Sequence, residues 1–199
     1  MAPSPQLNEP LRRAVRLVSL LNLGYFGVEF TVALAIGSVS LMADSVDFLE
    51  DAAVNLLIFA ALGWSAARRA KVGMLAAGVL LVPAVAFLWT LVGKFSAPVA
   101  PEPIGLGIAG AGALAVNLYC AFTLARFRRH SGSLTKAAFL SARNDAFANV
   151  AIIVAGVATV FWRSIWPDVV VGLGIALMNL DAAREVWEAA REERKEAES

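Results

Sequence analysis

The sequence predicts an all-α membrane protein: a bundle of six transmembrane helices with the N and C termini cytoplasmic. Three observations predict it. Of the 199 residues, 59% are hydrophobic and only 17% are charged, and mean hydropathy is +0.68. That is more apolar surface than a soluble domain of this length hides. The apolar residues fall in six segments, each long enough, at about 1.5 Å per residue, to cross a hydrocarbon core about 30 Å thick. The segment ends differ sharply in Lys and Arg, one side of the bundle holding nearly all of them.

The first helix is expected over 12–37, "LRRAVRLVSLLNLGYFGVEFTVALAIG". It runs on to Ile36 with no convincing cleavage site, so it reads as a retained helix and not as a signal peptide. The second, over 39–63, is entered through "GSVSLMA"; the third, over 71–93, holds Pro83, which should kink it. The fourth is expected over 103–127, the fifth over 133–161 and the sixth over 166–187. The longest loop, "KFSAPVAPEP", is rich in proline and should be extended.

Orientation follows from the basic residues. One side gathers Arg12, Arg13, Arg16, Arg68, Arg69, Lys71, Arg126, Arg128, Arg129, Lys136, Arg184, Arg191, Arg194 and Lys195. The other side holds only Lys94 and Arg163. The basic side is cytoplasmic by the positive-inside rule, and an even number of spans agrees with both termini lying there. Trp64, Trp162 and Trp166 fall near span ends, where indoles favour the interface. The chain thus divides into a six-span domain, 1–187, and a short charged cytoplasmic tail, 188–199. The tail reads as a solvated extension of the sixth helix, with a dimer contact or cytoplasmic gate as the other reading.

A net charge of +1, with no strip of Lys and Arg alternating with aromatics, gives no sign of a nucleic-acid partner. The single cysteine, Cys120, cannot close an intramolecular disulfide and reads as a packing residue.

The second segment departs from simple apolarity. "MADSVDFLEDAAVN" carries four acids, and "LLIFAAL" follows at once. At about 100° per residue, Asp44, Asp47, Asp51 and Asn55 share an arc of roughly 80°. Asp47 and Asp51, at i and i+4, stack on one face. A carboxylate at that depth costs several kcal/mol unless it faces protein, water or a cation.

The fifth segment repeats the pattern. When "LSARNDAFANVAII" is set beside "VDFLEDAAVNLLIF", Asp145 matches Asp51, Asn149 matches Asn55 and Ser141 matches Asp47. If the two faces pack together, Asp47, Asp51 and Asp145 converge, with Ser141 and the asparagines nearby. Three carboxylates need a counter-charge, which a divalent cation and protons can supply. The deep acids are Glu29, Asp44, Asp47, Glu50, Asp51 and Asp145, against Arg143 alone. Arg143 points away from Asp145 on the helical wheel, which leaves Glu29, Asp44 or Glu50 for it to answer. The excess of acid predicts that protons and a cation compete for the same carboxylates.

These residues resemble the cation diffusion facilitators, a family of six-span metal/proton antiporters. The first span has "NLGYFGVEF", with Asn22 and Glu29 placed as in the family. "GSVSLMADSVDFLED" is similar to its second-span motif, "KAAFLSARNDAFANVAIIVAG" to its fifth-span motif, and "WPDVVVGLGIALMNL" to the opening of its sixth span. The likeness covers nearly the whole chain, though without the cytoplasmic domain that usually follows the sixth span. It implies two metal ligands on the second span, Asp47 and Asp51, and two on the fifth, Ser141 and Asp145, with Asn149 or Asn55 able to lend a carbonyl. Ser141 stands where the family usually has His or Asp. An all-oxygen set favours hard or borderline ions such as Mn²⁺, Mg²⁺ or Fe²⁺ over Zn²⁺. His130, the only histidine, lies among arginines and is a poor ligand.

The resemblance implies a divalent-cation exporter exchanging metal for protons, with no cofactor, the ion (Zn, Mn, Fe or Co) being the substrate. The expected partners are the ion, protons and the lipid bilayer, here a bacterial cytoplasmic membrane. A homodimer would have to form through membrane helices, where "GLGIAGAGALA" and "VVGLGIA" permit close contact, although packing within one bundle explains the same residues. Two alternatives stand. A membrane enzyme of phosphotransfer would need Gly and Arg between Asp pairs, which "DSVDFLEDAAVN" lacks. A non-transporting metal-binding relative would fit Ser141.

Overall fold

The computed structural model describes residues 5–61, 85–127 and 132–178. Pro83, Trp64, His130, the basic residues 68–71 and the tail from 188 lie outside the described residues. Six helices occupy them: α1 Pro5–Ile36, α2 Val39–Ala61, α3 Val85–Ser96, α4 Pro103–Ala125, α5 Gly132–Phe161 and α6 Trp166–Met178. No strand occurs among the described residues.

Within the described residues, two boundaries differ from expectation by three residues or more. α1 begins at Pro5, because a proline in the first turns of a helix removes few bonds and "QLNE" is helix-compatible. α3 runs past residue 93 to Ser96. There Lys94 turns its Nζ back to the Val99 carbonyl, 2.8 Å away, and so fixes the exit into the proline-rich loop.

Glu9–Ile36, Pro103–Ala125 and Ser141–Phe161 are each long and apolar enough to cross a membrane. Their outward residues are apolar: Leu20, Ile108, Phe122, Phe147 and Phe161 are all exposed. The interior is polar in its middle, with Asn22, Glu29, Asp44, Asp47, Asp51, Asn55, Asn117 and Asn149 buried. An apolar exterior around a polar interior is stable in lipid and unstable in water. α2 carries Asp44, Asp47, Glu50 and Asp51, so it fits a bilayer only with neighbours on its acidic face.

Those neighbours are α1 and α5. α1 packs along α2 and α4 along α5, while α1 also meets α4 and α2 meets α5. The four helices close a ring in the order α1–α2–α5–α4. The turn from α1 to α2 is made by Gly37 at φ +62°, with Ser38 N–H donating to Ala33 O at 3.0 Å. This is a Schellman-type stop, where a side chain would be strained.

Two apolar layers cap the polar middle. Toward Gly37, the layer contains Ala33, Leu41, Met42, Leu106, Ile152 and Val169. Toward the N terminus it contains Val15, Val18, Cys120, Leu124 and Ala142. The buried acids lie between them, closed from both ends.

α6 is held to the start of α2 by one side chain. Asp168 is fully buried. Its Oδ1 accepts Ser38 Oγ at 2.7 Å, Ser40 Oγ at 2.6 Å and Ser40 N–H at 3.1 Å. Its Oδ2 accepts Val39 N–H at 2.8 Å. A carboxylate thus caps orphan donors at the positive end of a helix. The close approach needs Gly172, where a Cβ would lie 2.8 Å from both Ser40 N and Val39 C. Gly172→Ala is therefore expected to cost about 1–3 kcal/mol, as overpacking does. It should appear as a lower thermal midpoint of the detergent-solubilised protein. Gly156 similarly lets α5 approach the α4 backbone, its Cβ position lying 3.3 Å from Gly107 N. These small residues serve contacts inside the bundle.

Candidate functional site

The site is built outward from Asp51, which is 7% exposed. Its Oδ1 accepts Ser141 Oγ from α5 at 3.0 Å. Its Oδ2 accepts Asn22 Nδ2 from α1 at 3.4 Å. One carboxylate therefore joins three helices. Asn22 is oriented in turn by Cys120, whose Sγ lies 3.6 Å from Asn22 Oδ1. Cys120 is a buried packing residue that also fixes which way the amide faces. One turn on, Asn55 Nδ2 donates to Asp51 O at 2.8 Å, and its buried Oδ1 has no partner among the described residues. Ser19 Oγ donates to Ala52 O at 2.9 Å and pins α1 to α2 beside the site.

Asp47 is buried at 9% exposure. It lies in the electrostatic reach of Asp145, Asp44, Glu50 and Asp51. Asp145 is half-buried and lies in the reach of Asp51, Asp44 and Glu50. The structure thus brings Asp47, Asp51, Asp145 and Ser141 to one region of the α2–α5 seam. Among the described residues, no three His, Cys, Asp or Glu side chains close on a single point that could hold an ion.

Asn149 goes elsewhere on the same seam. Its Nδ2 donates to Asp44 Oδ2 at 2.5 Å, and its Oδ1 accepts Asn117 Nδ2 at 2.9 Å. The amide orientation follows from chemistry, since only the NH₂ can face a carboxylate oxygen. Its carbonyl, which the sequence offers as a metal ligand, is engaged by α4. Asn117 was missed from the sequence. Its one signal is a lone amide inside the apolar run "ALAVNLYCAF".

Arg143 does not answer the acids. It is exposed, its guanidinium bonds Asn144 Oδ1 at 3.3 Å, and no ion pair joins it to Glu29, Asp44 or Glu50. Its wheel position faces outward, away from the α1–α2 seam, so the expected pairing fails. The carboxylates consequently have no basic partner among the described residues. Buried acids in that state are stable only when protonated or when they hold a cation.

An antiparallel helix bundle, apolar outside and acidic within, defines an integral membrane protein suited to handling cations. The chain matches the family model of the cation efflux transmembrane domain over residues 15–192, and it belongs to that family. Its general role is that of a cation efflux transporter. A search of curated proteins finds no match.

Proposed function

We propose that this transporter exports a divalent metal cation in exchange for protons across a bacterial cytoplasmic membrane, with both termini on the cytoplasmic side. Asp47, Asp51 and Asp145 bind the ion and Ser141 completes the shell. Asn149 adds its carbonyl only if Asn117 releases it. The observation that carries the reading is the Ser141–Asp51 hydrogen bond at 3.0 Å. It joins the two helices whose acidic motifs match, at the positions where the motifs predict a shared site.

The chemistry follows from the absence of basic partners among the described residues. Without metal, protons hold the carboxylates in their buried setting. An arriving dication balances two of the three carboxylates in place of their protons, which leave, and the third carboxylate keeps its proton. Ser141 Oγ, now a donor to Asp51, rotates so that its lone pairs face the ion. The two apolar layers are the elements that must open in turn, one to each side, for the ion to pass.

The test is metal uptake into proteoliposomes under an imposed pH gradient, with Mn²⁺, Fe²⁺, Co²⁺, Zn²⁺ and Cd²⁺ compared. Gradient-dependent uptake of at least one ion is expected. Metal binding with no flux of any ion would support the non-transporting reading instead.

Ion choice has its own prediction. Ser141→His adds a nitrogen donor beside Asp51, and nitrogen suits zinc more than it suits manganese. The Zn²⁺/Mn²⁺ uptake ratio is expected to rise at least about tenfold, the scale of a single improved ligand contact. An unchanged ratio would show that residue 141 does not face the ion.

A further inference from the structure

We infer that Glu29 and Asp44 form a second cation-binding station, taking a divalent metal ion through carboxylate oxygens alone, on the Gly37 side of the central acids. The inference rests on the proposed role of Asp47, Asp51 and Asp145 as the transport site.

Glu29 is fully buried in α1, and among the described residues no amide, hydroxyl or basic group bonds its Oε1 or Oε2. Asp44 is fully buried in α2, and its Oδ1 has no partner. The two side chains lie beside one another across the α1–α2 seam. The two acids are within hydrogen-bonding reach of one another, and among the described residues no other side chain donates to Glu29 or to Asp44 Oδ1. Such an arrangement is costly unless a positive species sits between the two groups, a proton in the empty site and a metal ion in its place when loaded.

Among the described residues the surroundings supply no basic group. The Tyr25 hydroxyl is close to both acids, yet it donates to Ala109 O at 2.6 Å. Asn149 donates only to the other oxygen of Asp44, Oδ2. Arg143 is exposed, and Lys94 Nζ is bound to Val99 O. Asp47 and Asp51 add further negative charge to the pair.

Asn117 holds the carbonyl of Asn149, which turns the NH₂ of Asn149 onto Asp44. The donor atoms are all oxygens, and Cys120 is committed to Asn22. Two carboxylates from two helices, completed by water, suit a hard six-coordinate ion such as Mn²⁺.

Asp44 precedes Asp51 by seven residues, or about 10 Å along α2. In the proposed orientation it lies on the outward side. An ion leaving the central acids reaches Glu29 and Asp44 next, and the pair gives it a resting place before the apolar layer at Leu41 and Met42.

The test is Mn²⁺ binding to the full chain in detergent, with free Mn²⁺ followed by electron paramagnetic resonance and each variant checked by size exclusion. Two equivalents are expected in the unmodified protein. One equivalent is expected in Glu29→Gln, one in the Asp51→Asn/Asp145→Asn pair, and none in the triple variant. A single equivalent, unchanged by Glu29→Gln and lost in the pair, would overturn the inference and leave the central site standing; the two acids would then share only a proton. A single equivalent lost in Glu29→Gln but kept in the pair would sink the central site instead. No binding at all would overturn both.

Discussion

Asp51→Asn is expected to abolish cation transport. The two oxygens of Asp51 reach both neighbouring helices, through Ser141 and Asn22. Asparagine keeps the shape and a carbonyl acceptor for Ser141 but removes the charge that binds a dication. Disturbing an outer-shell group beside a metal commonly costs 10- to 100-fold, so losing a ligand should cost at least about 100-fold in initial rate. Insertion should be intact, because removing a buried charge with no basic partner relieves a desolvation cost. The matched control is Glu9→Gln. It breaks the exposed Arg13–Glu9 pair (3.6 Å) far from the site, and exposed pairs contribute only about 0–1 kcal/mol. Its rate should equal that of the unmodified protein. Near-normal transport by Asp51→Asn would remove Asp51 from the ion path.

The largest effect on stability is expected from Asp168→Ala. Four hydrogen bonds from Ser38, Val39 and Ser40 end on its carboxylate. A hydrogen bond to a charged group is worth about 1.5–3 kcal/mol, and bonds sharing one acceptor do not add fully, so a loss of about 3–5 kcal/mol is expected. The donors would be left buried, since Ser38 and Ser40 are fully enclosed. α6 would lose its grip on α2 and the apolar layer toward Gly37 would loosen. Asp168→Asn should fall between, because one amide oxygen can still accept from some of the donors. Thermal midpoints in detergent check both. Equal midpoints for all three proteins would show that the cap does not hold the two helices together.

The fold was largely legible because lipid imposes one rule on each span. A span must be long, apolar outward and self-satisfied in its backbone, and each of these leaves a mark in sequence. α2 was legible for the opposite reason, since acids at i and i+4 in an apolar run announce a protected face. Its pairing with α5 followed from the matched motif, and Ser141 does touch Asp51. The role of Asp168 was not legible. "GSVS" shows helix-start residues, but nothing local says that their partner comes from 128 residues further on. Asn117 escaped notice for the same reason, as a single amide whose meaning depends on Asn149 across a helix interface. Arg143 counts among the deep charges in sequence, yet it is exposed, and a long side chain facing outward needs no acidic partner. Glu29 reads as a deep acid in the sequence, yet only the structure sets it against Asp44 with no other donor among the described residues.

The most direct test of the central claim is to record metal and proton movement together in one vesicle. Proteoliposomes would carry a metal-sensitive and a pH-sensitive dye, with the ion chosen by the uptake screen. Metal entry should drive proton exit, an outward proton gradient should speed metal entry, and both movements should vanish in Asp51→Asn. Metal flux that is indifferent to the pH gradient and moves no protons, or coupled flux that persists in Asp51→Asn, would contradict the account.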